Sequence, residues 1–290
     1  MLPQGISTDS LASVSRMPRG AYGFALAGVH GVDELLVDAA GWPSLELVRR
    51  IGSSDAEMDS LGDESARLRL VDGGDVVVER DPARATYTTP SGLSDQELVH
   101  PYLAPAAALA ARWRGLESLH AGAFVLDGGA WMVVGDKGIG KSFTLASLAQ
   151  RGWTVVADDV VVVAESRVFA GPRTIDLRED GARALGMGER LPGARGRERW
   201  RVALDPTEPD FELRGWVLVT WSADGEAIVK VPPADRLRRL ARSRVITVEA
   251  DRPDLLLRLA GLPAFEYRRR AGAKSATADG LDRLLETLGS

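Results

Sequence analysis

The residues best suited to chemistry are Gly135-Asp136-Lys137-Gly138-Ile139-Gly140-Lys141-Ser142, which fill every fixed position of the pattern G-x-x-x-x-G-K-[ST]. Each residue type has a physical task in such a loop. Glycines let backbone N–H groups converge on phosphate oxygens, and the start of a helix adds its partial positive charge. Lys141 reaches the β- and γ-phosphates, and the Ser142 hydroxyl is a ligand for Mg²⁺. The implied ligand is ATP with Mg²⁺, held by the residues from Gly135 through Phe143. Asp136 suits an anion nest only if its carboxylate turns outward or meets Lys137.

A match to this pattern has weight only between a buried strand and a helix. Both are present. Ala130 to Val134 is a short apolar run bounded by glycines, and Ser142 to Arg151 carries Leu145 and Leu148 at helical spacing before Gly152. A second strand, Trp153 to Ala157, ends in Asp158-Asp159 and is followed by the apolar run Val160 to Val163. A right-handed crossover lays that strand parallel to the first and brings the aspartates to the sheet edge that holds the loop. Side chains alternate along a strand, so one carboxylate would face Mg²⁺ and the nucleotide and the other an incoming hydroxyl. An ordinary acidic turn is the plain alternative. Upstream, Leu119 to Leu126, the turn Asp127-Gly-Gly129 and Ala130 to Val134 read as a hairpin whose pairing puts His120 close to Asp136. A catalytic and a structural histidine both fit that position.

The chain has 290 residues, 45% of them hydrophobic and 27% charged, enough for one large domain or two smaller ones; two is the better fit. The absence of cysteine excludes disulfides, thiolate metal sites and a cysteine nucleophile, and three histidines, His30, His100 and His120, argue against a multi-histidine metal site. A net charge of −5 argues against nucleic acid as a partner. There is no N-terminal basic region leading into an apolar run and no apolar stretch of membrane-spanning length, so a soluble, cytoplasmic protein without a membrane partner is expected.

Residues 1–100 read as short strands and turns, with Asp72-Gly-Gly-Asp75 as a hairpin turn, and predict a small, mainly antiparallel β domain. The acidic stretch from Asp55 to Glu64 reads as a solvated loop. A helical bridge at 101–118 grows out of the alanine-rich segment Leu98 to Trp113. Residues 119–290 carry the α/β domain, with a buried strand from Gly215 to Trp221 and helices at Pro233 to Ser243, Asp251 to Gly261 and Ala278 to Leu288. Within it, Gly193 to Val202 holds Arg195, Arg197, Arg199 and Arg201 around Trp200. That run suits either a phosphate or acidic partner or a solvated loop; Arg199 and Arg201, beside a strand start, are the candidate substrate contacts.

Together, His120-Ala-Gly-Ala, the glycine-rich loop and Arg151-Gly-Trp-Thr-Val-Val-Ala-Asp-Asp-Val160 a short helix later resemble the catalytic domain of HPr kinase/phosphorylase and its kinase-like relatives. The resemblance covers about residues 115 to 290 and is strongest from 119 to 163. It implies a P-loop kinase-like fold of the HPr kinase C-terminal type and ATP-dependent transfer of phosphate to a serine-type hydroxyl. It assigns Lys141 and Ser142 to phosphates and Mg²⁺, Asp158 to the base, Asp159 to the metal or its waters, and His120 to a place near that site. The signature Glu-Ile-Arg-Gly-Leu-Gly of the bacterial HPr kinases is not present; Ile175-Asp-Leu-Arg178 stands as a degenerate counterpart, with Asp176 in place of the glutamate. The β domain with a shortened catalytic domain looks more like the kinase-like proteins of peptide-tailoring clusters, including lasso-peptide kinases, whose acceptor is a serine near the end of a precursor peptide. The implied partners are ATP and a peptide or protein with a Ser or Thr hydroxyl. An ATP-gated peptide-binding module, a small-molecule kinase and a phosphohydrolase are the alternatives, and a homo-oligomer stays open.

Overall fold

The computed structural model describes residues 17–54, 58–71, 73–191, 198–246, 252–270 and 278–290. Asp72 of the expected hairpin turn, the start of the acidic stretch at 55–57, Arg195, Arg197 and Asp251 lie outside them. The first sheet comprises β1 (Arg19–Ala21), β2 (Phe24–Ala27), β3 (Val37–Asp38), β4 (Ser44–Ile51), β5 (Ser60–Leu61), β6 (Ser65–Arg69), β7 (Asp75–Glu79) and β8 (Arg84–Thr89), in the order β3-β1-β2-β4-β8-β7-β6-β5. Period-two alternation decides which face each strand buries, as in β8, where Ala85, Tyr87 and Thr89 point inward. Most joins of this sheet are antiparallel, and two, β2 to β4 and β4 to β8, are parallel. Alternation reports the buried face of a strand and not the direction of its neighbour, so the sequence does not distinguish the two.

Residues 95–113 form a broken helical run. It consists of α1 (Asp95–Glu97) behind a Ser94/Glu97 capping box, a wide turn at Leu98–Tyr102, and α2 (Leu103–Trp113). At His100 the backbone is extended, with φ −153° and ψ 122°, because the ring of Pro101 disfavours helical geometry at the residue before it. The nearly all-apolar α2 packs Leu103 and Leu109 into the first core beside Leu45, Val76, Val78 and Tyr87.

The rest of the chain contributes β9 (Glu117–Leu119), β10 (Ala121–Leu126), β11 (Gly129–Val134), α3 (Lys141–Gln150), β12 (Val155–Ala157), β13 (Val161–Ala164), β14 (Arg167–Phe169), β15 (Thr174–Leu177), α4 (Glu179–Leu185), β16 (Glu189–Leu191), β17 (Arg199–Ala203), β18 (Asp210–Ser222), β19 (Ala227–Lys230), α5 (Pro233–Arg242), α6 (Pro253–Gly261), β20 (Ala264–Arg270) and α7 (Ala278–Gly289). Its large sheet runs β12-β10-β11-β18-β14-β13-β9, with β20 on β18 and β19 on β20; β15, β17 and β16 form a separate small sheet. The strands β11, β18 and β20 are mutually parallel. β12 does not adjoin β11: β10 lies between them, antiparallel to both. β12 therefore still runs in the direction of β11, and its C-terminal end reaches the edge where the glycine-rich loop emerges.

One face of this sheet is covered by α3 and α7, through Leu145, Leu148, Leu281 and Leu284 against Val133, Val217 and Tyr267. A second core on the other side gathers Met132 and Trp216 with Leu240, Leu255 and Leu259 of α5 and α6. Around β13 the alternation is shared between cores, with Val160 and Val162 in the first and Val161 and Val163 in the second. That sharing joins the two sheets and brings the turn at His100 toward the aspartates after β12. Among the described residues no helix is long and apolar enough to cross a membrane.

Candidate active site

The loop between β11 and α3 turns on three glycines with positive φ, Gly135 at 149°, Gly138 at 84° and Gly140 at 101°. At Gly140 the requirement is also steric, since a Cβ there would stand 2.5 Å from Nη1 of Arg269. The helix begins at Lys141, and its first N–H groups have no intrahelical acceptor. Lys141 is only 6% exposed, and its Nζ donates to the carbonyls of Gly135 at 2.8 Å and Asp136 at 3.3 Å. Burial pushes its pKa down, and among the described residues it forms no ion pair. Asp136 is exposed, so its side chain is out of the nest, as the loop requires.

Asp158, directly after β12, is 5% exposed and accepts a hydrogen bond from Ser142 Oγ at 3.0 Å. Burial first, and the neighbouring Asp159 second, push its carboxyl up to about 6. Asp159 adopts a left-handed φ of 66° and keeps 38% of its side chain exposed. Its backbone oxygen lies 2.9 Å from His120 Nδ1. A carbonyl only accepts, so Nδ1 carries the proton. Burial, then the charge of Lys141, lower the pKa of His120, which favours the neutral ring with a lone pair on Nε2. His120 occupies the single-residue gap between β9 and β10, where Leu119 pairs with Val161 and Ala121 with Val134. The expected hairpin thus delivers it to the loop. The carboxylate that meets Ser142 is Asp158, while Asp159, the left-handed residue after it, keeps its carboxylate more exposed.

The hydroxyl of Ser142 and the carboxylate of Asp158 are hard oxygen donors suited to Mg²⁺, which takes one or two carboxylates together with substrate phosphates. Among the described residues no cluster of three His, Asp or Glu side chains offers a complete metal cage. A buried lysine held by loop carbonyls rather than by a carboxylate, a carboxylate held above its usual range and loop glycines with positive φ all fit a Mg²⁺–triphosphate.

A second charged group lies beside the first. His100 Nε2 is 3.3 Å from Asp176 Oδ2, and Arg201 donates through Nε to Asp176 Oδ1 at 3.1 Å and through Nη2 to the His100 carbonyl at 2.9 Å. Burial alone would raise the Asp176 pKa, but the hydrogen bonds and charges of His100 and Arg201 outweigh it and hold the carboxyl down at about 2. The field of His100 also reaches Asp158 and lowers its pKa. Arg201, expected to meet substrate, is therefore committed to Asp176 and His100, because the β15–β17 register sets Asp176 opposite Arg201. Arg199 is half-buried on the same strand, outside that pair.

Sequence reasoning passed over His100, Asp176 and Arg269 as site residues. The Pro after His100 and the acid in the degenerate motif were the available signals for the first two. Arg269 is 2% exposed on β20, and its Nη1 donates to the loop carbonyl of Ile139 at 3.3 Å. No protein-family model and no curated relative matches the chain. Among solved structures it is similar to the HPr(Ser) kinase/phosphatase from Coxiella burnetii, at 15% sequence identity and a TM-score of 0.32, over 60% of this chain and 88% of that one.

Proposed function

We propose that the chain is an ATP-dependent kinase that transfers the γ-phosphate to a Ser or Thr hydroxyl of a peptide or protein. The observation that carries the reading is the hydrogen bond from Ser142 to buried Asp158, which joins the helix after the glycine-rich loop to the end of β12. When bound, Mg²⁺ would offset the charge on the β- and γ-phosphate oxygens. Ser142 and Asp158 would hold the cation. Lys141 exchanges the carbonyls of Gly135 and Asp136 for phosphate oxygens, a stronger, charge-assisted pairing. Asp159, the more exposed carboxylate, takes the proton of the attacking hydroxyl, whose oxygen forms the new bond to phosphorus as the bond to the bridging oxygen breaks and ADP leaves. His120 positions Asp159 through its backbone carbonyl. This exchanges the base and metal roles that family resemblance assigns to the two aspartates.

A flexible peptide segment suits the acceptor, since in-line transfer needs the hydroxyl within about 3 to 3.5 Å of phosphorus. The resemblance to peptide-tailoring kinases favours a serine near the end of a precursor peptide. The test is mass spectrometry of candidate peptides incubated with ATP and Mg²⁺. The expected product carries one phosphoryl group on Ser or Thr and is lost with Asp159→Asn. A phosphorylated sugar or nucleoside with no modified peptide would make the chain a small-molecule kinase, and nucleotide binding without transfer would make it a binding module.

A further inference from the structure

We propose that Trp221, backed by Arg269, is the platform on which the base of the bound nucleotide stacks; this rests on the reading of the glycine-rich loop as a triphosphate site. The strands β18 and β20 run parallel with Trp221 opposite Arg269. Further back, Val217 and Val219 of β18 and Tyr267 of β20 lie in the core that also holds Leu145 and Leu148 of α3. Alternation carries Trp221 and Arg269 onto that same face, one step beyond the core. The pairing of Val134 with Leu218 sets Trp221 three residues past the end of β11, about 10 Å along the strand direction and level with the glycine-rich loop.

The side chains bear out this placement. The guanidinium carbon of Arg269 lies 4.7 Å from the Trp221 ring centroid and 5.9 Å from that of Phe143, the residue after Ser142. Although Arg269 is 2% exposed, its Nε has no hydrogen-bond partner among the described residues, and its Nη1 donates to the loop at Ile139. Trp221, by contrast, is 43% exposed. A buried cation over one side of an indole fixes the ring and leaves the rest of its surface uncovered beside the loop. The natural occupant is flat, has a π face, and is tethered to the phosphates at short reach. A nucleobase meets all three conditions.

Equilibrium binding of the full chain to ATP and to inorganic tripolyphosphate, each with Mg²⁺, tests this. The wild type should bind ATP more tightly than tripolyphosphate. Trp221→Ala should weaken ATP about tenfold, the scale of one lost stacking contact, and leave tripolyphosphate unchanged, while Trp221→Phe keeps most of the ATP affinity. Trp221→Gln, which retains bulk without the π face, repeats the comparison if the alanine variant does not fold. Unchanged ATP affinity in both non-aromatic variants, or an equal loss for the two ligands, overturns the proposal. Lys141→Ala separates it from the underlying reading: that variant should lose both ligands, and if it binds both normally the triphosphate site itself is misplaced.

Discussion

Asp158 is buried and Asp176 half-buried, at short strands of neighbouring sheets, and their surroundings drive their pKa values apart. Asp176 takes hydrogen bonds from His100 and Arg201, so its charge is satisfied in the free protein. Asp158 takes only neutral donors, the Ser142 hydroxyl and the backbone N–H of Asp159, and stands beside a second carboxylate. A satisfied buried carboxylate is a structural part, whereas one held against its own ionisation marks a place where a cation completes the set. His100 touches one and reaches the other electrostatically, so the structural pair also helps shape the reactive side.

The contrast can be broken in several ways. Asp159→Asn should slow phosphoryl transfer by roughly 10²- to 10⁴-fold in single-turnover kinetics while leaving ATP affinity intact, the signature of a lost base. Lys141→Ala should weaken ATP by on the order of 10²-fold in calorimetry, since it removes a charge-assisted contact with the phosphates. Arg201→Ala leaves Asp176 buried with one partner fewer and should destabilise the fold by about 3 kcal/mol in urea titration. The depressed carboxyl of Asp176 contributes stability above its unfolded value of 3.8 that is lost as pH falls toward 2, so the same variant should also unfold at a higher pH on acidification. Arg199→Ala, outside the pair, should cost less than Arg201→Ala in the same titration; a matching loss would erase the distinction between the two arginines.

The reactive half of this comparison was legible because it is local. Residues 135–142 are contiguous, Asp158-Asp159 follow by one helix and one short strand, and His120 follows from the hairpin register of Ala121 with Val134. The exact neighbour of β12 did not matter to that argument, because a strand two places away in the same direction still ends at the same edge. The structural half was hidden because its members lie far apart in the chain. His100 sits near the start of the alanine-rich segment whose pattern is helical, and the extended backbone before Pro101 departs from that pattern. Asp176 meets Arg201 through a register between β15 and β17 that alternation alone does not choose. The apolar run Gly215 to Trp221 predicts a buried strand, but Trp221 stands beyond the last core position, where strand and core no longer coincide.

Thermal unfolding of wild type and Asp158→Asn at pH 7, with and without Mg²⁺–ATP, tests the central claim most directly. The raised carboxyl of Asp158 favours the folded state when protonated and opposes it as pH rises from 3.8 through about 6. At pH 7 that opposition is on the order of 3 kcal/mol, so without metal the variant should melt roughly 6 °C above the wild type. Mg²⁺–ATP should then stabilise the wild type strongly and the variant weakly, because the variant lacks the carboxylate that holds the cation. A variant that melts below the wild type without ligand, or gains as much from Mg²⁺–ATP, would contradict the account.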